Sequence, residues 1–143
     1  MYSVLYYLKV NKNTTKTNKS DRFSLRKRLK SFHYAFNGIK NLIKNEHNAR
    51  IHLVALICVI GLGIIFKIEL TEWVAITIVS GLVILTELLN TAIEKLADFI
   101  EPNRNEKIGI IKDYCAGAVL ISAVISVVVG GLIFIPKIIE CLL

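Results

Sequence analysis

Three blocks of apolar residues constrain this chain more than any other feature. Tyr114 to Ile135 is an unbroken uncharged run, Ile51 to Phe66 is uncharged with His52 its one strongly polar member, and Trp73 to Thr86 carries no charge. A helix needs about 20 such residues to cross a hydrocarbon core of roughly 30 Å, so the last block is long enough alone. The first is shorter; Asn48 and Ala49 extend it, and Lys67 at its end can snorkel to the interface. The expectation is an all-α membrane protein with three transmembrane helices, in keeping with 54% hydrophobic residues and a length of 143 that suits one domain.

Charge predicts orientation. Residues 1–50 hold twelve Lys and Arg against Asp21 and Glu46, a net charge of +10, whereas the rest of the chain sums to 6 − 9 = −3. Excess positive charge stays on the cytoplasmic side, which puts the N-terminus, the "EPNRNEKIGIIKD" loop and any site built there on the cytoplasmic face of the cell membrane. The "KIELTE" turn and the C-terminus then lie outside. Attraction to anionic headgroups accounts for the basic arm without a nucleic-acid partner. A cleaved signal peptide fits poorly, because "KNTTKTNKSD" stands where an apolar segment and cleavage site belong.

Within the arm, Leu25, Leu29, Phe32, Phe36, Ile39 and Ile43 recur at helical spacing and share an arc of roughly 80°, with Arg26, Lys27, Arg28, Lys30, Lys40 and Lys44 off it. That pattern predicts an amphipathic helix on the inner membrane surface or docked on the bundle. Residues 1–21, rich in Asn, Thr and Lys in their second half, read as a flexible extension ahead of a membrane domain over 22–143. Cys58, Cys115 and Cys141 show no zinc spacing and are expected to be buried free thiols. His47 and His52 stand about 140° apart on a helix, a poor metal pair, and suit polar interfacial roles.

The segment "TELLNTAIEKLADFIE" poses the functional question. If the second helix runs from near Trp73 until Pro102 stops it, it is longer than the bilayer and projects on the inner side. Relative to Glu87, Asn90 falls at about −60°, Glu94 at about −20° and Asp98 at about +20°, so one face carries a polar stripe down into the membrane. An ionisable group at the depth of Glu87 is costly and commonly functional; the plainer reading is hydrogen bonding between helices, with Glu94 and Asp98 already in water. Glu87 and Glu94 lie about 10.5 Å apart along the axis, too far to grip one small cation. Glu94 suits a metal shared with Glu46, at comparable depth, while Glu87 suits a group belonging to a lipid. Lys112 and Asp113 open the last span, where the lysine could hold phosphates and the aspartate could equally be only a helix cap. These are the parts of phosphoryl transfer from a nucleotide to a lipid alcohol. No G-x-x-x-x-G-K-[ST] loop is present, so a nucleotide site must be built on helices.

At these residues the chain resembles a known family. "ELLNTAIEKLAD" is similar to the signature of the small prokaryotic diacylglycerol kinase and undecaprenol kinase family, and "NEHNARIH" and "KDYCAGAVL" resemble its segments before the first and at the last span. The resemblance covers about residues 22–135. It implies a homotrimer in the bacterial plasma membrane, each subunit with three spans and a surface helix. The sites then lie between subunits at the cytoplasmic surface, with ATP as donor. It further implies that Glu87 is the general base supported by Asn90, that Glu46 and Glu94 coordinate magnesium, and that Lys112 and Asp113 contact the nucleotide. Tyr34 and the loop of Asn103, Arg104 and Asn105 would flank the nucleotide, and Arg50 would lie near the lipid headgroup. "RIH" leans toward the undecaprenol kinases over those acting on diacylglycerol. A small proton-coupled transporter remains the alternative from another class, although it would not need Glu46, Glu94 and Lys112 together.

Overall fold

The computed structural model describes residues 24–143, and the expected extension over residues 1–21 lies outside the described residues. Four helices follow in order: α1 (Leu25–Asn45), α2 (His47–Ile65), α3 (Leu70–Ile100) and α4 (Glu106–Leu142). The last three are long and apolar enough to cross a membrane.

Helix α1 begins where Ser24 Oγ accepts from Lys27 N at 3.4 Å, supplying one of the acceptors that a helix start lacks. The described residues form two compact units that part inside this helix, the first ending at Phe36 and the second comprising Asn37–Leu143. Leu25, Leu29, Phe32 and Phe36 are all exposed, an apolar stripe left uncovered within the first unit.

Between α1 and α2 only Glu46 is non-helical, in an extended conformation (φ −102°, ψ 124°). The corner is braced by Arg50, whose Nε donates to Ile43 O at 3.0 Å and whose Nη2 donates to Lys44 O at 2.7 Å. A guanidinium thus satisfies carbonyls that the end of α1 leaves without helical partners and sits at the negative end of its dipole.

The α2–α3 connection is a tight elbow. Lys67 N donates to Ile64 O and Ile68 N to Gly63 O, the paired bonds of a Schellman ending, with Lys67 at φ 49° in the position that glycine usually takes. Gly63 is buried under Trp73: a Cβ there would stand 2.7 Å from Trp73 Cη2 and 3.0 Å from Ile68 Cδ1. Absence of a side chain is what lets the two helices close here. Around the elbow lies the apolar core, Ile68, Ile76 and Phe134 with Val59, Leu62, Phe66, Trp73 and Ile133 against them.

Helix α3 starts at Leu70, three residues before the expected Trp73, because Glu69 and Glu72 form a reciprocal capping box. It ends at Ile100, ahead of Pro102, as expected. Helix α4 is longer at both ends than its uncharged run. The expected inner loop shrinks to residues 101–105, since Asn105 Oδ1 accepts from Lys107 N at 3.0 Å and starts the helix there. Asp113 is therefore not a cap but sits inside the helix. At the far end α4 continues through Pro136, which lacks the N–H its turn would use.

Helix α3 packs chiefly along α4 and less against α2. Large apolar side chains such as Ile57, Ile64, Leu120, Val127 and Leu132 stay exposed, more than water tolerates and suited to lipid or neighbouring helices. The three cysteines are free, but Cys58 and Cys141 are exposed and Cys115 half-buried rather than buried as expected, because their helix faces are among those the chain itself does not cover.

Candidate functional site

The inner half of α3 gathers the polar residues. Glu87 is only 3% exposed, Asn90 8% and Thr91 6%, so the predicted stripe turns inward at its deepest point. Helical spacing brings Asn90 Nδ2 to Glu94 Oε1 at 3.1 Å, one turn on. Glu87 Oε2 and Asn90 Oδ1 are buried without a hydrogen-bond partner. Both are acceptors, and an unsatisfied buried acceptor costs about 1–3 kcal/mol. The pair forms a place that calls for a donor or a cation.

Toward the helix end, two ion pairs tie the stripe to its neighbours. Lys95 Nζ meets Glu46 Oε1 at 2.8 Å, which puts Glu46 beside the residue that follows Glu94. Lys112 of α4 pairs with Asp98 of α3. Sequence reasoning named Asp98 and Lys112 without pairing them, and it missed Lys95 altogether. Its partner is forty-nine positions away, and no local spacing signals it. Also missed was the buried Ser122, whose Oγ lies 2.8 Å from Thr86 Oγ1 and links α3 to α4 beside Glu87.

On the membrane side of Glu87, a cavity of about 220 Å³ opens between α2, α3 and α4. His52, Ser80 and Ser126 supply its polar groups, and Val83, one turn before Glu87, lines it too. His52 therefore faces a cavity among the spans rather than an interface, whereas His47 is exposed at the first position of α2.

The remaining predicted residues are placed as follows. Asp113 is exposed on α4, one position past Lys112. Asn103, Arg104 and Asn105 are exposed in the short connection, where Asn103 N donates to Glu101 Oε1 at 3.2 Å. Arg50 is exposed at the α1–α2 corner it braces. Tyr34 belongs to the unit ending at Phe36; the residue is 59% exposed, with its ring edge-on to His33 and Lys30 Nζ 5.8 Å from the ring centre.

Among the described residues no three His, Cys, Asp or Glu side chains gather into a ready-made metal centre. Magnesium does not require one, since it commonly takes one or two carboxylates and completes its shell with phosphate oxygens and water. Glu46, and Glu94 with the unpartnered oxygen of Asn90 one turn before it, fit that pattern. The chemistry such a place supports is proton removal at Glu87 beside a cation-bound phosphate.

Comparison with known proteins shows the family. The family model described as prokaryotic diacylglycerol kinase matches residues 33–134, which contain the whole stripe. The chain is 38% identical to the undecaprenol kinase of Bacillus subtilis over 119 residues, covering 83% of this chain and 97% of that one. It is 34% identical to a diacylglycerol kinase of Synechocystis over 113 residues (78% of this chain, 65% of that one). With the diacylglycerol kinase of Haemophilus influenzae it shares 33% over 109 residues (74% and 91%).

Proposed function

This chain belongs to the prokaryotic diacylglycerol kinase family and is a lipid kinase of the membrane, and from that premise we propose that it transfers the γ-phosphate of ATP to undecaprenol at the cytoplasmic face of a bacterial plasma membrane. The observation that carries the reading is Glu87: a buried carboxylate oxygen with no hydrogen-bond donor, one turn along α3 from Val83, which lines a cavity among the three spans. A lipid hydroxyl is the donor it lacks.

In this reading Glu87 Oε2 takes the proton as the alcohol oxygen bonds to the γ-phosphorus and the bond from that phosphorus to the bridging oxygen of ADP breaks. Depth separates the roles, since the hydroxyl rises from the bilayer while the nucleotide arrives from water. Glu46 and Glu94 would hold magnesium, which when bound neutralises charge on the phosphates. Asn90 steadies Glu94 through Nδ2 and offers Oδ1 to the same space. Lys112, released from Asp98, would meet phosphate oxygens. Asp113, Asn103, Arg104 and Asn105 would line the nucleotide's approach, and Arg50 the headgroup's. The exposed apolar faces support assembly into a homotrimer, with sites between subunits. A transporter reading gives way to kinase relatives.

The lean to undecaprenol rests on the relative from Bacillus subtilis, matched over nearly its whole length, and on "RIH". Diacylglycerol is the second reading, favoured by two relatives of that name. Purified protein in detergent, given labelled ATP and equal amounts of undecaprenol and diacylglycerol, is expected to label undecaprenol first. Preferential labelling of diacylglycerol would reverse the substrate assignment, and transfer to neither would sink both.

A further inference from the structure

The Lys95–Glu46 ion pair has no part in the chemistry above, yet it holds one of the two carboxylates assigned to magnesium. We propose that Lys95 is the resident counter-ion of Glu46, a positioning residue whose ammonium a divalent cation must displace before Glu46 can bind it. The proposal rests on the metal reading of Glu46 and Glu94.

Four features support it. Lys95 Nζ lies 2.8 Å from Glu46 Oε1, so it occupies an oxygen that a metal would use. The Glu46 side chain is 25% exposed and that of Lys95 62%, so the ammonium reaches in from the water side to a more sheltered carboxylate. Its four-carbon stem lets it swing out again without moving the backbone. Glu46 also stands in the single non-helical position between α1 and α2, a corner fixed by Arg50, so its backbone stays in place when its partner leaves.

Ion pairs open to solvent on one side are weak, which makes exchange feasible. The ammonium brings one charge to one oxygen. A magnesium ion brings two and gathers Glu46, Glu94 and phosphate oxygens together. Metal that arrives with the nucleotide therefore has partners to offset the loss of the ion pair, while bare metal has fewer. Lys95 keeps the carboxylate charge compensated in the metal-free enzyme and weakens binding of metal alone. A lysine that merely pinned the α1–α2 corner to α3 would act in the opposite sense, since losing it would loosen the site.

The test is Mn²⁺ binding to the purified full chain without nucleotide, read by electron paramagnetic resonance of the free ion. Lys95→Met is expected to bind Mn²⁺ about two- to fivefold more tightly than wild type. Lys95→Arg, which keeps a cation in reach of Glu46, is expected to bind within twofold of wild type. Unchanged or weaker binding by a folded Lys95→Met variant overturns the proposal, as does absence of Mn²⁺ binding in both wild type and variant. Glu46→Gln and Glu94→Gln separate the two layers. If both bind Mn²⁺ like wild type, the metal reading falls and the proposal with it. If both lose it while Lys95→Met shows no gain, only the proposal falls.

Discussion

Glu72 and Glu87 stand on the same helix, 87 − 72 = 15 positions apart, and the chain treats their carboxylates in opposite ways. Glu72 Oε2 accepts from Glu69 N at 2.7 Å and from Lys137 Nζ at 3.1 Å, at the end where Ile68, Ile76 and Phe134 make an apolar core. Glu87 Oε2 is buried and accepts from nothing, at the end where the polar stripe runs. The first carboxylate spends its hydrogen-bonding capacity inside the fold; the second holds it for something that is not part of the chain. The proposed reaction draws on that difference, since a general base needs a free acceptor and a capping acid does not.

The largest expected effect tests that contrast directly. Glu87→Gln should keep the fold and nucleotide binding but lose transfer by about 10² to 10⁴, the usual worth of a general base, while Glu72→Gln leaves transfer near wild type. Single-turnover phosphate transfer alongside a nucleotide-binding measurement checks both. Near wild-type transfer by Glu87→Gln would erase the difference between the two acids. Next in size, Glu94→Gln should raise the magnesium concentration needed for transfer by on the order of tenfold, because a hard-cation site loses an anionic ligand. A magnesium titration at saturating ATP reads it, and an unmoved midpoint would take Glu94 out of the metal site.

Two further variants probe the structural end. Gly63→Ala places a methyl where Trp73 already sits and is expected to destabilise the fold by about 1–3 kcal/mol, measured by the loss of helix signal on heating in detergent. Unaltered stability would mean that Trp73 yields freely and the elbow is not tight. The smallest effect has the opposite sign: Lys67→Gly relieves a left-handed lysine and should stabilise by about 1 kcal/mol in the same assay. Neither should change the magnesium requirement, which keeps the two ends of α3 separable.

The helices were legible because length and absence of charge are local properties, and the polar stripe because 100° per residue puts Glu87, Asn90, Glu94 and Asp98 on one face wherever the helix ends up. What escaped depends on packing. Lys95 finds Glu46 and Thr86 finds Ser122 only after three helices have been set side by side. The brace from Arg50 requires the chain to turn at Glu46, which nothing in "NEHNAR" announces. The "KIELTE" turn was legible, but Lys67 hides how tightly it closes, since a left-handed residue there gives no glycine to read. Asn105 was visible as a capping residue type, but a contact role assigned to the whole loop obscured it.

The elbow has one more consequence. With only residues 66–69 between α2 and α3 and no room beside Gly63, the two helices cannot slide past one another. Heights along the hairpin are thus counted from that turn: about 26 Å to Glu87 and about 36 Å to Glu94 at 1.5 Å per residue. The hairpin is a ruler with a fixed zero, independent of the lipid around it. A thicker or thinner bilayer shifts the headgroup plane along this scale while the marks keep their spacing, so membrane thickness changes where a lipid headgroup meets the scale and leaves the distance from Glu87 to Glu94 unaltered.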